Sequence, residues 1–197
     1  MKISIIIPCY NEINTIEKII DKILLQEKFN KEIIVIDHYS TDGSKNLLES
    51  IKHKYDRLII NSKNYGKGYS IKKGISIATG DVILIQDADL EYDPSDYEKL
   101  IQPIIQDNAD VVFGSRFLGA DEKRVLFFWH SLGNKFLTLF SNMLTDLNLT
   151  DMECGYKVFK AEVIKNINLN ENRFGFEPEI TAMISKKKLR IYEVGIK

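Results

Sequence analysis

The segment Asp87-Ala88-Asp89-Leu90-Glu91-Tyr92-Asp93 places four carboxylates at every second position, directly after the apolar run Val82–Ile85. In an extended chain alternate side chains face the same way, so Asp87, Asp89 and Glu91 could converge on one hard cation. Mg2+ or Mn2+ is the expected ion, held by few carboxylates and completed by phosphate oxygens. The competing reading is a solvated acidic turn before a helix, where the helix dipole favours Asp and Glu without any ligand. Asp37, at the end of another apolar run, could accept hydrogen bonds from a base or ribose. The residues after it, Ser40-Thr41-Asp42-Gly43-Ser44, also suit an ordinary helix N-cap at Thr41 or Asp42. A third turn, Pro8-Cys9-Tyr10-Asn11-Glu12, contains no glycine. That argues against a nicotinamide dehydrogenase, whose first turn needs glycines to let a pyrophosphate approach the backbone.

These turns all follow short β-branched runs. Ile3–Ile7, Glu32–Ile36, Arg57–Ile60, Val82–Ile85 and Asp110–Phe113 read as buried strands, separated by helical patterns at Ile13–Gln26, Gly43–Lys54, Lys67–Ala78 and Pro94–Gln106. The last opens with Asp93 as a cap and Pro94 in its first turn. The expected fold class is α/β: a doubly wound, mostly parallel sheet with helices on both faces, whose ligands bind at the edge where the strands end. A single domain spans 1–197. In its second half, Val125–Leu144 carries Phe128, Trp129, Leu132, Phe136, Leu139, Phe140 and Met143 at helical spacing, with Arg124 and Lys135 nearby. Such a helix either packs on the sheet or lies in a lipid headgroup layer. A strand at Gly155–Phe159, a helix at Pro178–Lys187 and a strand at Arg190–Val194 complete the pattern.

Composition removes other classes. The 197 residues are 44% hydrophobic and carry 27 Lys and Arg against 28 Asp and Glu, a net charge of −1. Near-neutrality gives no support to bulk nucleic-acid binding. The longest apolar run, Val125 to Trp129, has five residues, against about 20 for a membrane span. No signal peptide precedes the first strand, so a cytoplasmic location is expected. Cys9 and Cys154 lack the spacing of a zinc site.

Several motifs occur together in one order: Pro8-Cys9-Tyr10-Asn11-Glu12, Asp37 with Ser40-Thr41-Asp42-Gly43, Asn64-Tyr65-Gly66-Lys67-Gly68, Gly80-Asp81 followed by Asp87-Ala88-Asp89, and Gly114-Ser115-Arg116. With Trp129 to Asn134, Asp151 to Phe159 and Phe174 to Glu179, the chain resembles family 2 glycosyltransferases, in particular their dolichol-phosphate-mannose-synthase-like branch. The resemblance implies a GT-A (Rossmann-like) fold and an inverting transfer of a hexose from a nucleotide diphosphate sugar of the GDP-mannose or UDP-glucose type to a polyprenyl phosphate. It assigns Pro8, Tyr10, Glu12, Asp37, Lys67 and Asp87 to the nucleotide sugar, with His38 beside them in the same site, and Asp87, Asp89 and Glu91 to the metal. Asp89 and Arg116 become the catalytic pair, and Ser131, Asp151 and Glu177 lie on the acceptor side. A cation and a guanidinium beside the leaving diphosphate would stabilise its developing charge. The partners implied are the nucleotide sugar and the polyprenyl phosphate, with peripheral contact at the inner face of a membrane.

Two departures stand out. Relatives usually carry Asp-Asp where this chain has Asp37-His38; His38 could instead donate to phosphate. The resemblance also implies a basic, Gly-containing segment after the last strand, so that a complete nucleotide-sugar half (1–116) is followed by an acceptor half (117–197) that stops short. An alternative is therefore a nucleotide-sugar-binding remnant or regulatory partner with little transfer activity. A nucleotidyltransferase would share the sheet and the acidic site, but its usual Gly-rich basic loop after the first strand is absent.

Overall fold

The computed structural model describes residues 1–119 and 127–197. Arg124, Val125 and Leu126 lie outside the described residues. Seven strands form one sheet: β1 (Lys2–Cys9), β2 (Asn30–Asp37), β3 (Arg57–Ile60), β4 (Val82–Ile85), β5 (Val111–Ser115), β6 (Lys157–Lys160) and β7 (Ile191–Gly195). Their order is β3-β2-β1-β4-β6-β5-β7. All neighbours are parallel except at β6, which runs antiparallel to both β4 and β5. β1 is an interior strand and its isoleucines are buried on both faces, which is why its sequence is a near-continuous apolar run.

Helices cover both faces. On one, α1 (Ile16–Leu24), α2 (Ser44–Ser50) and α4 (Tyr97–Ile105) pack over Ile3, Ile5, Ile7, Val35 and Leu84. On the other, α3 (Lys67–Ile77), α6 (Ala161–Lys165) and α7 (Phe176–Ser185) pack over Ile6, Ile34, Ile83 and Phe113. In α1 the buried residues Ile16, Ile19, Ile20 and Ile23 form a single i, i+3, i+4, i+7 stripe. The helix begins at Ile16 rather than Ile13, because Asn11 takes a positive φ of 56° and the Glu12 carbonyl accepts from the Thr15 and Ile16 amides.

Two expected helices are shorter than their patterns. Gly43–Lys54 resolves into α2 and a 3-10 turn at Lys52–Lys54, and Pro94–Gln106 opens as a 3-10 turn at Pro94–Asp96, capped by the Asp93 side chain. The described part of the aromatic helix, α5 (Phe128–Thr145), packs against α7. It buries only Thr138 and Ser141. Its inner face is polar: Thr138 Oγ1 accepts from the Met152 amide (3.2 Å), and Asn142 exchanges hydrogen bonds with the Leu149 backbone (2.8 and 3.1 Å). Trp129, Phe136 and Met143 are 76%, 67% and 74% exposed. The packed-on-the-sheet reading of this helix therefore fails, because the small polar residues face inward and the aromatic residues outward.

Candidate active site

The turns after β1, β2 and β4 meet the start of α3 around a cleft of about 620 Å³. Pro8, Tyr10, Glu12 and His38 line one part of it, and Asn64, Gly66, Lys67, Asp87, Ala88 and Asp89 another. Sequence-singled residues from four separate segments are thus brought together. The first two turns are laced to each other: the Asn11 amide donates to Ser40 Oγ (2.9 Å), the Glu12 amide to Ser44 Oγ (2.9 Å), and the Ile13 amide to Asp42 Oδ2 (3.0 Å). The polar run after Asp37 therefore fastens one ligand loop to the other. Gly43, at φ +100°, is the N-cap position of α2, in place of the expected Thr41 or Asp42.

Asp37 is fully buried, and its Oδ2 accepts from the Tyr39 and Ser40 amides (3.2 Å each). His38 is nearly buried, with its ring edge-on to Tyr10 at 5.1 Å. Burial pushes the His38 pKa down, and this outweighs the opposing pull of Asp37. His38 therefore meets a ligand as a neutral imidazole at pH 7.

Lys67 is the first residue of α3. Its Nζ lies 2.8 Å from Asp87 Oδ1 and 3.1 Å from Glu177 Oε1, joining the acidic loop to α7. Burial would lower the Lys67 pKa, but the two carboxylates more than compensate and hold it well above the ordinary lysine value. Glu177 is itself buried.

The acidic loop does not keep the extended geometry that its alternation suggested. It bends over residues 88–92, and the Asp89 carboxylate accepts from the Glu91 amide (2.9 Å). Glu91 turns away to Arg116, with Oε1 3.2 Å from Nη1. Among the described residues, no three His, Cys, Asp or Glu side chains gather where an ion could sit. The remaining pair, Asp87 and Asp89, is the small set of hard oxygen donors that suits Mg2+ or Mn2+ sharing phosphate ligands. Burial, and then the charges of Asp87, Glu91 and Glu12, push the Asp89 carboxyl up. A divalent cation would relieve that concentration of negative charge.

Gly155 is required beside this pair. A Cβ there would collide with Asp87 Oδ2 and come 2.9 Å from Tyr92 Cε2. Gly155→Ala is expected to cost about 1–3 kcal/mol, as overpacking does, and to weaken nucleotide binding by displacing Asp87. Thermal denaturation and calorimetry check this; unchanged values in both would show that the loop absorbs the methyl group.

Of the three residues expected on the acceptor side, Glu177 sits with Lys67 and Asp87, while Asp151 centres a second cluster. Arg116 grips Asp151 through Nε (2.8 Å) and Nη2 (3.0 Å), and its amide also donates to that carboxylate (3.0 Å). Asn134 on α5 adds a fourth bond (2.8 Å). Ser131 lies three residues earlier on α5, on the side that Asn134 turns to the cluster. Asp37, Glu91, Arg116, Ser131, Asp151 and Glu177 are outside the residues lining the main cleft. Conversely, Arg173 and Phe174 line it, although the sequence reading gave them no role. In the sequence Phe174 opens the Phe174–Glu179 motif and Arg173 only adjoins it; contact of this segment with the start of α3 brings both to the cleft.

Solved structures share this architecture. The glucosyl-3-phosphoglycerate synthase of Mycobacterium tuberculosis, in complex with Mn2+, UDP and glucosyl-3-phosphoglycerate, superposes with a TM-score of 0.75 at 18% identity, over 99% of this chain and 70% of that one. The mannosyl-3-phosphoglycerate synthase of Rubrobacter xylanophilus gives 0.78 at 20% identity, over 99% and 65%. The sheet and its acidic strand-end cleft thus define a GT-A fold. The family model for glycosyl transferase family 2 matches residues 4–167, and the chain belongs to that family. Among curated relatives, it is 28% identical to the dolichol-phosphate mannosyltransferase of Pyrococcus furiosus, over 98% of this chain and 55% of that protein. It is 30% identical to a dolichyl-phosphate beta-glucosyltransferase of Dictyostelium discoideum, over 98% and 65%. The chain therefore spans between about half and two thirds of the length of these relatives.

Proposed function

We propose that this chain is the donor-binding and catalytic domain of an inverting, metal-dependent glycosyltransferase that moves a hexose from a nucleotide diphosphate sugar to a polyprenyl phosphate. The observation that carries this reading is the meeting of two unlike surfaces. The cleft that carries the charged groups of Asp87, Asp89 and Lys67 lies beside a largely apolar groove of about 500 Å³ between α5 and α7, lined by Leu137, Phe140, Leu144 and Met152 and also by Glu153, Glu171 and Glu179. Phe174 borders the first and Gly175 the second. A sugar nucleotide suits one surface and an isoprenoid chain the other. The names of the Pyrococcus and Dictyostelium relatives support the acceptor class.

In this reading Asp87 and Asp89 hold Mg2+ or Mn2+, which when bound supplies positive charge to the leaving diphosphate. Tyr10 and His38 flank the nucleoside, over the buried Asp37. Lys67 keeps Asp87 and Glu177 in fixed relation, so that donor and acceptor sides hold their spacing. An acceptor phosphate is already ionised near neutrality, with a second pKa of about 6, and needs no strong base. That matches a site in which Glu177 is tied to Lys67, and Asp151 to Arg116 and Asn134.

The exposed face of α5 supports docking on a lipid surface. Among the described residues no helix is long and apolar enough to cross a membrane. Each large apolar side chain withdrawn from water contributes about 1.5–3 kcal/mol, so several together suffice to hold a helix at the interface. Trp129 is the only tryptophan. Its emission is expected to shift to the blue when anionic lipid vesicles are added; an unchanged spectrum with protein left in the supernatant would count against docking.

The functional test is consumption of UDP-glucose or GDP-mannose by the protein with Mn2+ and a polyprenyl phosphate, with anomeric inversion in the product. Nucleotide binding without turnover of either donor would support the remnant reading instead.

A further inference from the structure

Among the described residues, Lys67 in the cleft and Arg116 outside its lining are committed to carboxylates. Lys67 pairs with Asp87 and Glu177, and Arg116 with Asp151 and Glu91. Arg173 lines the cleft and has no ion pair or side-chain hydrogen bond among the described residues. Among the described residues, Arg173 is the uncommitted guanidinium that a polyanion entering beside Asp87, Asp89 and Glu12 meets.

Arg173 is also held in place. Its stem lies over Gly66, where a Cβ would come 2.8 Å from Arg173 Cγ and 3.0 Å from its Cα. Gly66 has a φ of +102°, so both the conformation and the contact call for glycine. On the α3 side, the Tyr69 amide donates to the Asn172 carbonyl (3.0 Å), and Lys72 Nζ donates to the Asn170 carbonyl (2.9 Å) and Asn172 Oδ1 (2.7 Å). On the α7 side, the Glu179 carboxylate accepts from the Asn170 and Glu171 amides (2.8 and 2.9 Å). The backbone that carries Arg173 is thereby fastened to both helices that present Lys67 and Glu177.

We propose that Arg173 contacts the phosphate oxygens of the substrate in this cleft. The proposal rests on the cleft being a nucleotide diphosphate sugar site. A guanidinium suits the task because its planar fork can give two parallel hydrogen bonds to one phosphate, which an ammonium cannot. The phosphate is either the donor diphosphate or the acceptor monoester.

The test compares the whole chain with Arg173→Ala and Arg173→Lys, using UDP and GDP with Mn2+ in calorimetric titrations and a short-chain polyprenyl phosphate in steady-state kinetics. Arg173→Ala is expected to weaken nucleoside diphosphate binding about 10- to 100-fold, the loss of a charge-assisted contact, and Arg173→Lys to recover part of it. Unchanged nucleotide affinity with an equally raised KM for polyprenyl phosphate assigns the contact to the acceptor phosphate. Arg173 is exposed, so neither variant should shift the melting temperature appreciably. Unchanged nucleotide affinity and unchanged acceptor KM in Arg173→Ala overturn the proposal while leaving the cleft's function intact. Failure of the unmodified protein to bind either nucleotide overturns the reading of the cleft, and the proposal with it.

Discussion

Asp89→Ala should lower the affinity for a nucleoside diphosphate in the presence of Mn2+ by more than about 100-fold, because loss of a group that merely supports a metal ligand already costs 10–100-fold. Asp89 and Asp87 are the two carboxylates of the acidic loop that line the cleft, whereas Glu91 is turned toward Arg116. Removing Asp89 leaves Asp87, which is already shared with Lys67. Chelation of the metal should give the same loss in the unmodified protein. The fold should not suffer. Burial and the neighbouring charges of Asp87, Glu91 and Glu12 raise the Asp89 pKa, so its ionised form is a net burden on the native state at neutral pH. Asp89→Ala should therefore melt at the same temperature or slightly higher. Full nucleotide affinity in the variant, by calorimetry, would sink the metal assignment.

That opposition between function and stability is visible in the sequence only in part. Burying both faces of a central parallel strand demands uninterrupted Ile, Val and Leu, so Ile3–Ile7 and Val82–Ile85 announced themselves, with ends correct to within about two residues. Direction was less accessible. Nothing local in Lys157-Val158-Phe159-Lys160 indicates that β6 runs against its neighbours; only pairing with β4 and β5 decides it. α6, at five residues, is too short to show a period.

At the site, residue types were legible and their partners were not. The alternation of Asp87, Asp89 and Glu91 suggested three carboxylates on one face, but the chain bends there and Arg116 draws Glu91 away. Lys157 shows the same limit. It is fully buried, with Nζ donating to the Met152 (3.1 Å) and Cys154 (2.5 Å) carbonyls, and so shapes the loop between Asp151 and Gly155. A lysine in a strand reads as a surface residue until the fold shows what it is bonded to. For α5 the sequence leaves two readings open, and the packing of its polar face decides between them. Aromatic residues at helical spacing ordinarily mean a core, yet its Asn134, Thr138 and Asn142 do the anchoring.

The second large effect concerns the cluster around Asp151, and it falls on stability. Asp151 is completely buried and receives two guanidinium N–H bonds and one amide bond from Arg116, and a fourth from Asn134. Asp151→Ala leaves the Arg116 guanidinium, itself largely buried, with only the partly exposed Glu91. Breaking a buried pair from one side costs about 3–5 kcal/mol. For a domain of this size each kcal/mol shifts the melting temperature by about 2–4 °C, so a fall of about 6–20 °C is expected. The double variant Arg116→Met, Asp151→Leu separates the sources of this loss. If the penalty is an uncompensated buried charge, the double variant should be more stable than Asp151→Ala, since apolar replacement of both partners removes the charge altogether. If it melts at the same temperature or below, the cost resides in the Asn134 and amide bonds, and Asp151 serves chiefly to tie α5 to the end of β5.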